Sequence, residues 1–222
     1  KNETIIKLAS KGYPMVVMDR QLDVDYVFPV LLDNQSGVKE AFHHLYDQGL
    51  RKIYYIAGAS DSLDNAERMK AFLEESQQHG LSVPVYNGNF TEESGYEIAD
   101  LIMGSKNIPE AVFCANDQMA LGFLRAMEKH QLNAPRDIAV VGFDDVQISK
   151  FARPSLTTIG ASRFLWGSLA ATWLIDFLDN DTPFPLYRIP VKLIPRESSA
   201  KHCDITTEKE RSIYEYFRNY RV

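Results

Sequence analysis

The sequence predicts an α/β fold built on parallel sheets. Short apolar runs of strand length alternate with segments of helical periodicity along most of the 222 residues. Strands separated by helix-length segments call for βαβ crossovers, and a crossover sets the strands it joins parallel. Glycines stand where several of the helical segments must stop, which fixes the alternation.

Met15–Met18 reads as a short strand ending at Asp19, and Val30–Leu32 as another ending at Asp33. Ser36–Gln48 reads as a helix with Ala41, Leu45 and Gln48 near one face and Gly49 as its stop. Lys52–Ala57 (KIYYIA) is a strand, and Glu67–His79 is a helix closed by Gly80. Val83–Val85 opens a further short strand. Glu92–Met103 follows as a helix, with Ile98, Leu101 and Ile102 inward and Gly104 as its stop. Ala111–Ala115 is a strand, Gln118–His130 a helix, and Ile138–Phe143 (IAVVGF) a strand. Arg163–Leu178 is a strongly apolar helix and Tyr187–Ile194 a late strand, with Pro183 and Pro185 marking a loop between them. Thr207-Glu208-Lys209-Glu210 is a capping-box pattern, and Ile213, Phe217 and Tyr220 then fall at helical spacing. That segment reads as a terminal helix packed on the body, or as a linker or contact helix for a partner.

Composition excludes several classes. Hydrophobic residues are 45% and charged residues 24% of the chain, as in a globular protein with a real core. No apolar run reaches the roughly 18 residues that a membrane span needs, and Lys1–Ser10 does not read as a signal peptide. Net charge is −6, without the basic patch that grips phosphates; this piece alone is not expected to bind nucleic acid well. Cys114 and Cys203 lack CxxC spacing and read as free thiols of a reducing compartment.

In an open α/β sheet, ligands bind beyond the carboxyl ends of the strands. The residues there are Asp33-Asn34, Gly58–Asp61, Asn116-Asp117 and Asp144-Asp145. The set is acidic and amide-rich, and no Gly-rich phosphate loop accompanies it, so no nucleotide cofactor is expected. Carboxylates and amides suit a polyhydroxylated ligand, because a carboxylate accepts two hydroxyls and an amide both donates and accepts. Phe90, just before Thr91, is placed to lie against the apolar face of a sugar. Simpler roles stay open: Asn116 and Asp117 also fit a helix cap, and Asp144 and Asp145 a strand end. An adjacent carboxylate pair points two ways and suits acid–base work poorly. No GxSxG elbow occurs, and the neighbours His43 and His44 cannot share one helical face. Neither an enzyme nor a metal site is expected.

Three runs then narrow the reading. Asn116–Gly122 (NDQMALG), Asp137–Asp145 (DIAVVGFDD) and Pro154–Ile159 (PSLTTI) occur in that order. Pro14–Arg20, Gly49–Ile53, Glu67-Arg68, Gly95-Tyr96 and Arg196-Glu197-Ser198 accompany them. The ordered set resembles the lactose/galactose repressor family of bacterial transcription regulators, over about residues 5–200.

The resemblance implies a two-lobed, periplasmic-binding-protein-like fold with parallel sheets flanked by helices and an effector held between the lobes. It assigns residues 1–49 and 160–182 to a partial amino-terminal lobe. Residues 50–159 and 183–199 form the carboxy-terminal lobe, and 200–222 a helical extension. By similarity, Asp144 is the acid that binds ligand hydroxyls, and Asn116 the polar residue after the preceding strand. Arg68 is the arginine facing the cleft, Phe90 the aromatic lining the pocket, and Asp64 a neighbouring pocket position.

The same resemblance implies a cytoplasmic homodimer whose sugar-like effector controls operator binding by a helix-turn-helix domain absent from this chain. That domain and the first elements of the amino-terminal lobe have no counterpart here, so the lobe is expected to be incomplete. Gly160-Ala161-Ser162 stands where the family often carries a Gln-Pro-like pair, and the tail after Ser199 is long for the family. Two alternatives share the fold: an extracytoplasmic sugar-binding protein serving a transporter, and a sensor module fused to an output domain. The DIAVVGFDD and PSLTTI runs favour the regulator.

Overall fold

The computed structural model describes residues 2–105, 107–181 and 186–200. The expected loop at Pro183 and Pro185, the expected terminal helix and Cys203 lie outside the described residues.

The element order begins α1 (Asn2–Ala9), β1 (Met15–Met18), β2 (Val27–Leu32), α2 (Asn34–Asp47), β3 (Ile53–Ala57), α3 (Leu63–Gln78) and β4 (Val85–Asn87). It continues with α4 (Glu92–Gly104), β5 (Ala111–Cys114), α5 (Asp117–Lys129), β6 (Ala139–Val141), a 3-10 turn (Gln147–Lys150) and β7 (Thr158–Ala161). It ends with α6 (Arg163–Asn180), β8 (Tyr187–Ile189) and β9 (Val191–Ile194). The alternation expected from the sequence is present, and every strand pair with a described register is parallel.

Two compact units result, and among the described residues the chain changes unit after Asp33, Gly160 and Pro190. The first unit holds a parallel sheet of order β1-β2-β8 together with α1 and α6. Phe177 of α6 meets the Phe28 ring at 4.8 Å, and the Trp166 indole N–H donates to the Val30 carbonyl at 3.3 Å.

The second unit carries a four-stranded sheet of order β4-β3-β5-β6, with β7 and β9 forming a separate pair. β3, β5 and β6 are buried at every position, as strands covered on both faces of a parallel sheet must be. Tyr55, Phe72 and Phe113 stack in the core, with ring centres 5.1–5.6 Å apart. α4 packs along α5, and α2 along α3. Gly95 and Gly122 permit the first of these contacts, since a Cβ on either would enter the backbone of the opposite helix.

The expected stops are real. Gly49 and Gly80 adopt φ of 83° and 70°, the left-handed geometry that glycine tolerates best. The Gly80 and Leu81 amides then donate to the carbonyls of Gln77 and Ser76.

Several details differ from the sequence reading. α2 belongs to the second unit, because it packs on α3 and β9; the lobe boundary was expected after residue 49. The late strand is two strands, broken at Pro190, with β8 in the first unit and β9 in the second. α3 begins at Leu63, where the Ser62 side chain accepts from the Asn65 amide. Leu101 is exposed, whereas Ile102 beside it is buried. α1, the 3-10 turn and β7 were not expected.

Candidate functional site

The site forms at the carboxyl ends of β4, β5 and β6. Each strand ends in a residue or turn that presents a side chain there, and the start of α3 supplies the rest.

Asn116 follows β5 and caps α5. Its Oδ1 accepts from the Met119 amide at 3.0 Å, and its Nδ2 donates to the Phe90 carbonyl at 3.0 Å. Each partner uses half of what the amide offers, so one N–H and one lone pair remain for a ligand. The cap and a ligand contact are therefore compatible.

Phe90 lies between β4 and α4 with φ 70°. Its ring closes over Gly58, where a Cβ would collide with the ring. Asn89 steadies the turn by accepting from both the amide and the hydroxyl of Thr91.

Arg68 projects from α3 and is only 4% exposed. Its Nε donates to Asn34 Oδ1 at 2.9 Å and its Nη1 to the Ala115 carbonyl at 2.7 Å. The guanidinium lies over the Phe143 ring at 3.6 Å, and Nη1 is 3.4 Å from Asp144 Oδ1. No described residue hydrogen-bonds Nη2, which leaves a charged donor for a ligand.

Asp144 and Asp145 follow β6 with φ of 112° and 46°, two consecutive non-glycine residues in the left-handed half of conformational space. Asp64, in the first turn of α3, accepts from Asn34 Nδ2 at 2.8 Å. The same Nδ2 reaches Glu67 Oε2 at 2.8 Å.

The structure thus brings Arg68 against Asp144, and Asn116 against Phe90. Arg68 also binds Ala115, the residue before Asn116. Asp64 joins through Asn34 rather than by direct contact with the other four. Asn34 is the hub that sequence reasoning missed: it was marked only as following a strand. Its side chain is fully buried and binds three side chains. The one available signal is an Asn, not an apolar residue, at the helix start after VFPVLL.

Beneath the site lies Asp117, fully buried. Its Oδ1 accepts from Thr158 Oγ1 at 2.5 Å, and its Oδ2 from the Val146 amide at 2.9 Å and Ser149 Oγ at 2.7 Å. Burial pushes its carboxyl up to about 7, against the pull of these hydrogen bonds. Burial likewise raises the Tyr55 phenol and the Cys114 thiol. Among the described residues no group of His, Cys, Asp or Glu could hold a metal ion, and no helix is long and apolar enough to cross a membrane.

Comparison with known proteins bears on the fold that carries these residues. The periplasmic binding protein-like domain family matches residues 42–199. The HTH-type transcriptional repressor PurR of Pasteurella multocida is 34% identical over 170 residues, which cover 75% of this chain and 51% of that protein. A sugar-binding transcriptional regulator of the LacI family from Enterococcus faecalis superposes with a TM-score of 0.83 at 29% identity, over 90% of this chain and 76% of that one. The transcriptional regulator CelR, in complex with cellobiose, superposes with a TM-score of 0.78 at 31% identity, over 86% of this chain and 61% of that one. The chain spans about half the length of the curated relatives it matches.

Proposed function

The chain belongs to the periplasmic binding protein-like domain family and is an effector-binding core of the lactose/galactose repressor type; on that premise we propose that it is the sensing part of a cytoplasmic transcription regulator. The effector is a sugar or related polyhydroxylated molecule, held by Arg68, Asp144, Asn116 and Phe90 with Asp64 at the margin. Operator binding belongs to a helix-turn-helix head outside this chain, and the whole protein acts as a homodimer.

One observation carries the reading: the Arg68–Asp144 pair stands beside Asn116 and Phe90 at the ends of three strands. A carboxylate and a guanidinium side by side accept from one sugar hydroxyl and donate to its neighbour. Asn116 supplies one donor and one acceptor to a further hydroxyl. The Phe90 ring offers a flat apolar surface to the C–H face of the sugar. None of these groups is a nucleophile with a base beside it, and the reading is a binding protein, not an enzyme. The relatives are repressors, which favours the regulator over a transporter's binding protein.

For such a site to regulate, the ligand must bind one conformation of the protein better than another, and its differential affinity sets the change in operator affinity. The test is a thermal-shift screen of the full-length protein against ribose, glucose, galactose, cellobiose, adenine and hypoxanthine. A ligand that binds the folded state raises the melting temperature by mass action. A hit that is lost in Asp144→Ala and Asn116→Ala and that changes operator affinity supports the reading. A hit that survives both substitutions removes the site from it.

A further inference from the structure

The turn that presents Asp144 is strained and is held from two sides. Asp144 and Asp145 both have positive φ, a geometry that is unfavourable for a non-glycine residue and persists only where surrounding contacts impose it. Those contacts can be named. The Asp144 amide donates to the Ile159 carbonyl at 2.8 Å. The Asp145 amide donates to Thr158 Oγ1 at 3.3 Å, and the same hydroxyl donates in turn to Asp117 at 2.5 Å. Asp117 also accepts the Val146 amide and Ser149 Oγ, both on the far side of the turn. From the other direction, Arg196 Nη2 grips Asp145 Oδ1 at 2.6 Å, while its Nη1 is anchored on the Leu156 carbonyl at 2.9 Å. Arg196 is 7% exposed, and Asp117, Ser149 and Thr158 are fully buried.

None of these side chains is among those assigned to the ligand. Asp145 points at Arg196, away from its neighbour's task. The Arg196-Glu197-Ser198 run, which the resemblance marked and the binding site leaves unused, thereby gains a role. We propose that Arg196 and Thr158, the latter backed by Asp117, are positioning residues of the effector site: they clamp the Asp144–Val146 turn so that the Asp144 carboxylate stands opposite Arg68. The proposal rests on the effector reading above. It predicts that releasing the clamp lowers affinity through the position of Asp144, not through loss of the fold.

The test uses the full-length protein with Arg196→Met, Arg196→Lys and Thr158→Val, and two readouts taken well below the melting temperature. Hydrogen exchange reports the clamp directly. Arg196→Met and Thr158→Val are expected to speed exchange at the amides of Asp144, Asp145 and Val146 by about tenfold or more, with β5 amides unchanged, since local opening is separable from global unfolding. Calorimetry with the panel member that binds most tightly is expected to show affinity about tenfold weaker in both variants. Arg196→Lys, which keeps the charge on Asp145, is expected to recover part of it. Adding Asp144→Asn to Arg196→Met should cost less than the two changes summed, because both act through one carboxylate. Exchange that rises uniformly across the unit, or affinity that holds in the folded variants, overturns the clamp and leaves the effector reading intact. Failure of every panel member to bind the unaltered protein overturns the effector reading and the clamp's purpose with it.

Discussion

Arg68 Nη1 lies 3.4 Å from Asp144 Oδ1 while the same guanidinium covers the Phe143 ring at 3.6 Å. The two residues are 4% and 36% exposed in their side chains, and this asymmetry divides their roles. Arg68 is part of the interior: removing it strips a donor from Asn34 and from the Ala115 carbonyl and opens space against Phe143. Asp144 faces solvent enough to be hydrated when its partner is changed. Arg68→Ala is therefore expected to destabilise the protein by about 2–4 kcal/mol, and Asp144→Asn by less than about 1 kcal/mol. Effector affinity should order the other way in the folded proteins, with Asp144→Asn losing about tenfold or more. Urea denaturation with calorimetry on the same samples checks both. A stable Arg68→Ala protein would contradict the burial argument.

Tyr55 offers a cleaner stability prediction. Its hydroxyl is the one buried side-chain polar atom among the described residues that lacks a hydrogen-bond partner, and its ring is packed against Phe72 and Phe113. Tyr55→Phe keeps the stacking and removes an unsatisfied group. The expected result is unchanged stability or a gain of up to about 1 kcal/mol, read as a shift in the urea midpoint at constant slope. A loss larger than about 1 kcal/mol would show that the hydroxyl has a partner in solution.

Asp117 sets a pH dependence whose sign follows from burial. Its carboxyl is raised from 3.8 to about 7, so the folded protein holds a proton that the unfolded chain releases between those values. Stability from this group is complete below about pH 4 and falls as pH rises to about 7. A tenfold gain in proton affinity is worth about 1.4 kcal/mol, which makes the whole span on the order of 4 kcal/mol. Asp117→Asn, which cannot ionise, should flatten the stability profile between about pH 4 and pH 7. Asp100 and Asp137, held low by Lys129 and Arg136, are exposed pairs that titrate below this window. An unchanged profile in Asp117→Asn would locate the dependence elsewhere.

Much of the fold was legible because parallel sheets write themselves plainly. The runs IYYIA, AVFC and AVV are buried at every position, and such runs show in sequence without any partner being known. β7 was not legible, because its opening Thr158 and the preceding Thr157 are buried through hydrogen bonds to Asp117, Arg196 and Ser198; burial by hydrogen bonding leaves no apolar signal. Leu101 misled the reading of α4, since helical spacing alone does not say which flank of a stripe is covered. In the site, residues that follow strands could be found by position. Asn34 is marked by position too, but its role is not, because its three partners lie on α3, about thirty residues away, and only the folded chain brings them to it.

Gly58 gives the last prediction, because it couples the sheet to the aromatic wall. The residue directly follows β3, and its amide donates to Asn65 Oδ1 at 2.6 Å. A Cβ at this position would collide with three atoms of the Phe90 ring. The Phe90 carbonyl in turn accepts from Asn116, so a ring pushed aside carries its backbone with it and disturbs the Asn116 amide. Gly58→Ala is expected to cost about 1–3 kcal/mol of stability, as overpacking does. It should also weaken any ligand that stacks on Phe90. Phe90→Leu in the Gly58→Ala background, which replaces the flat ring with a smaller side chain, should restore stability and not affinity. Recovery of both in the double variant would mean that the ring serves packing alone, and that the ligand's apolar face rests on another side chain.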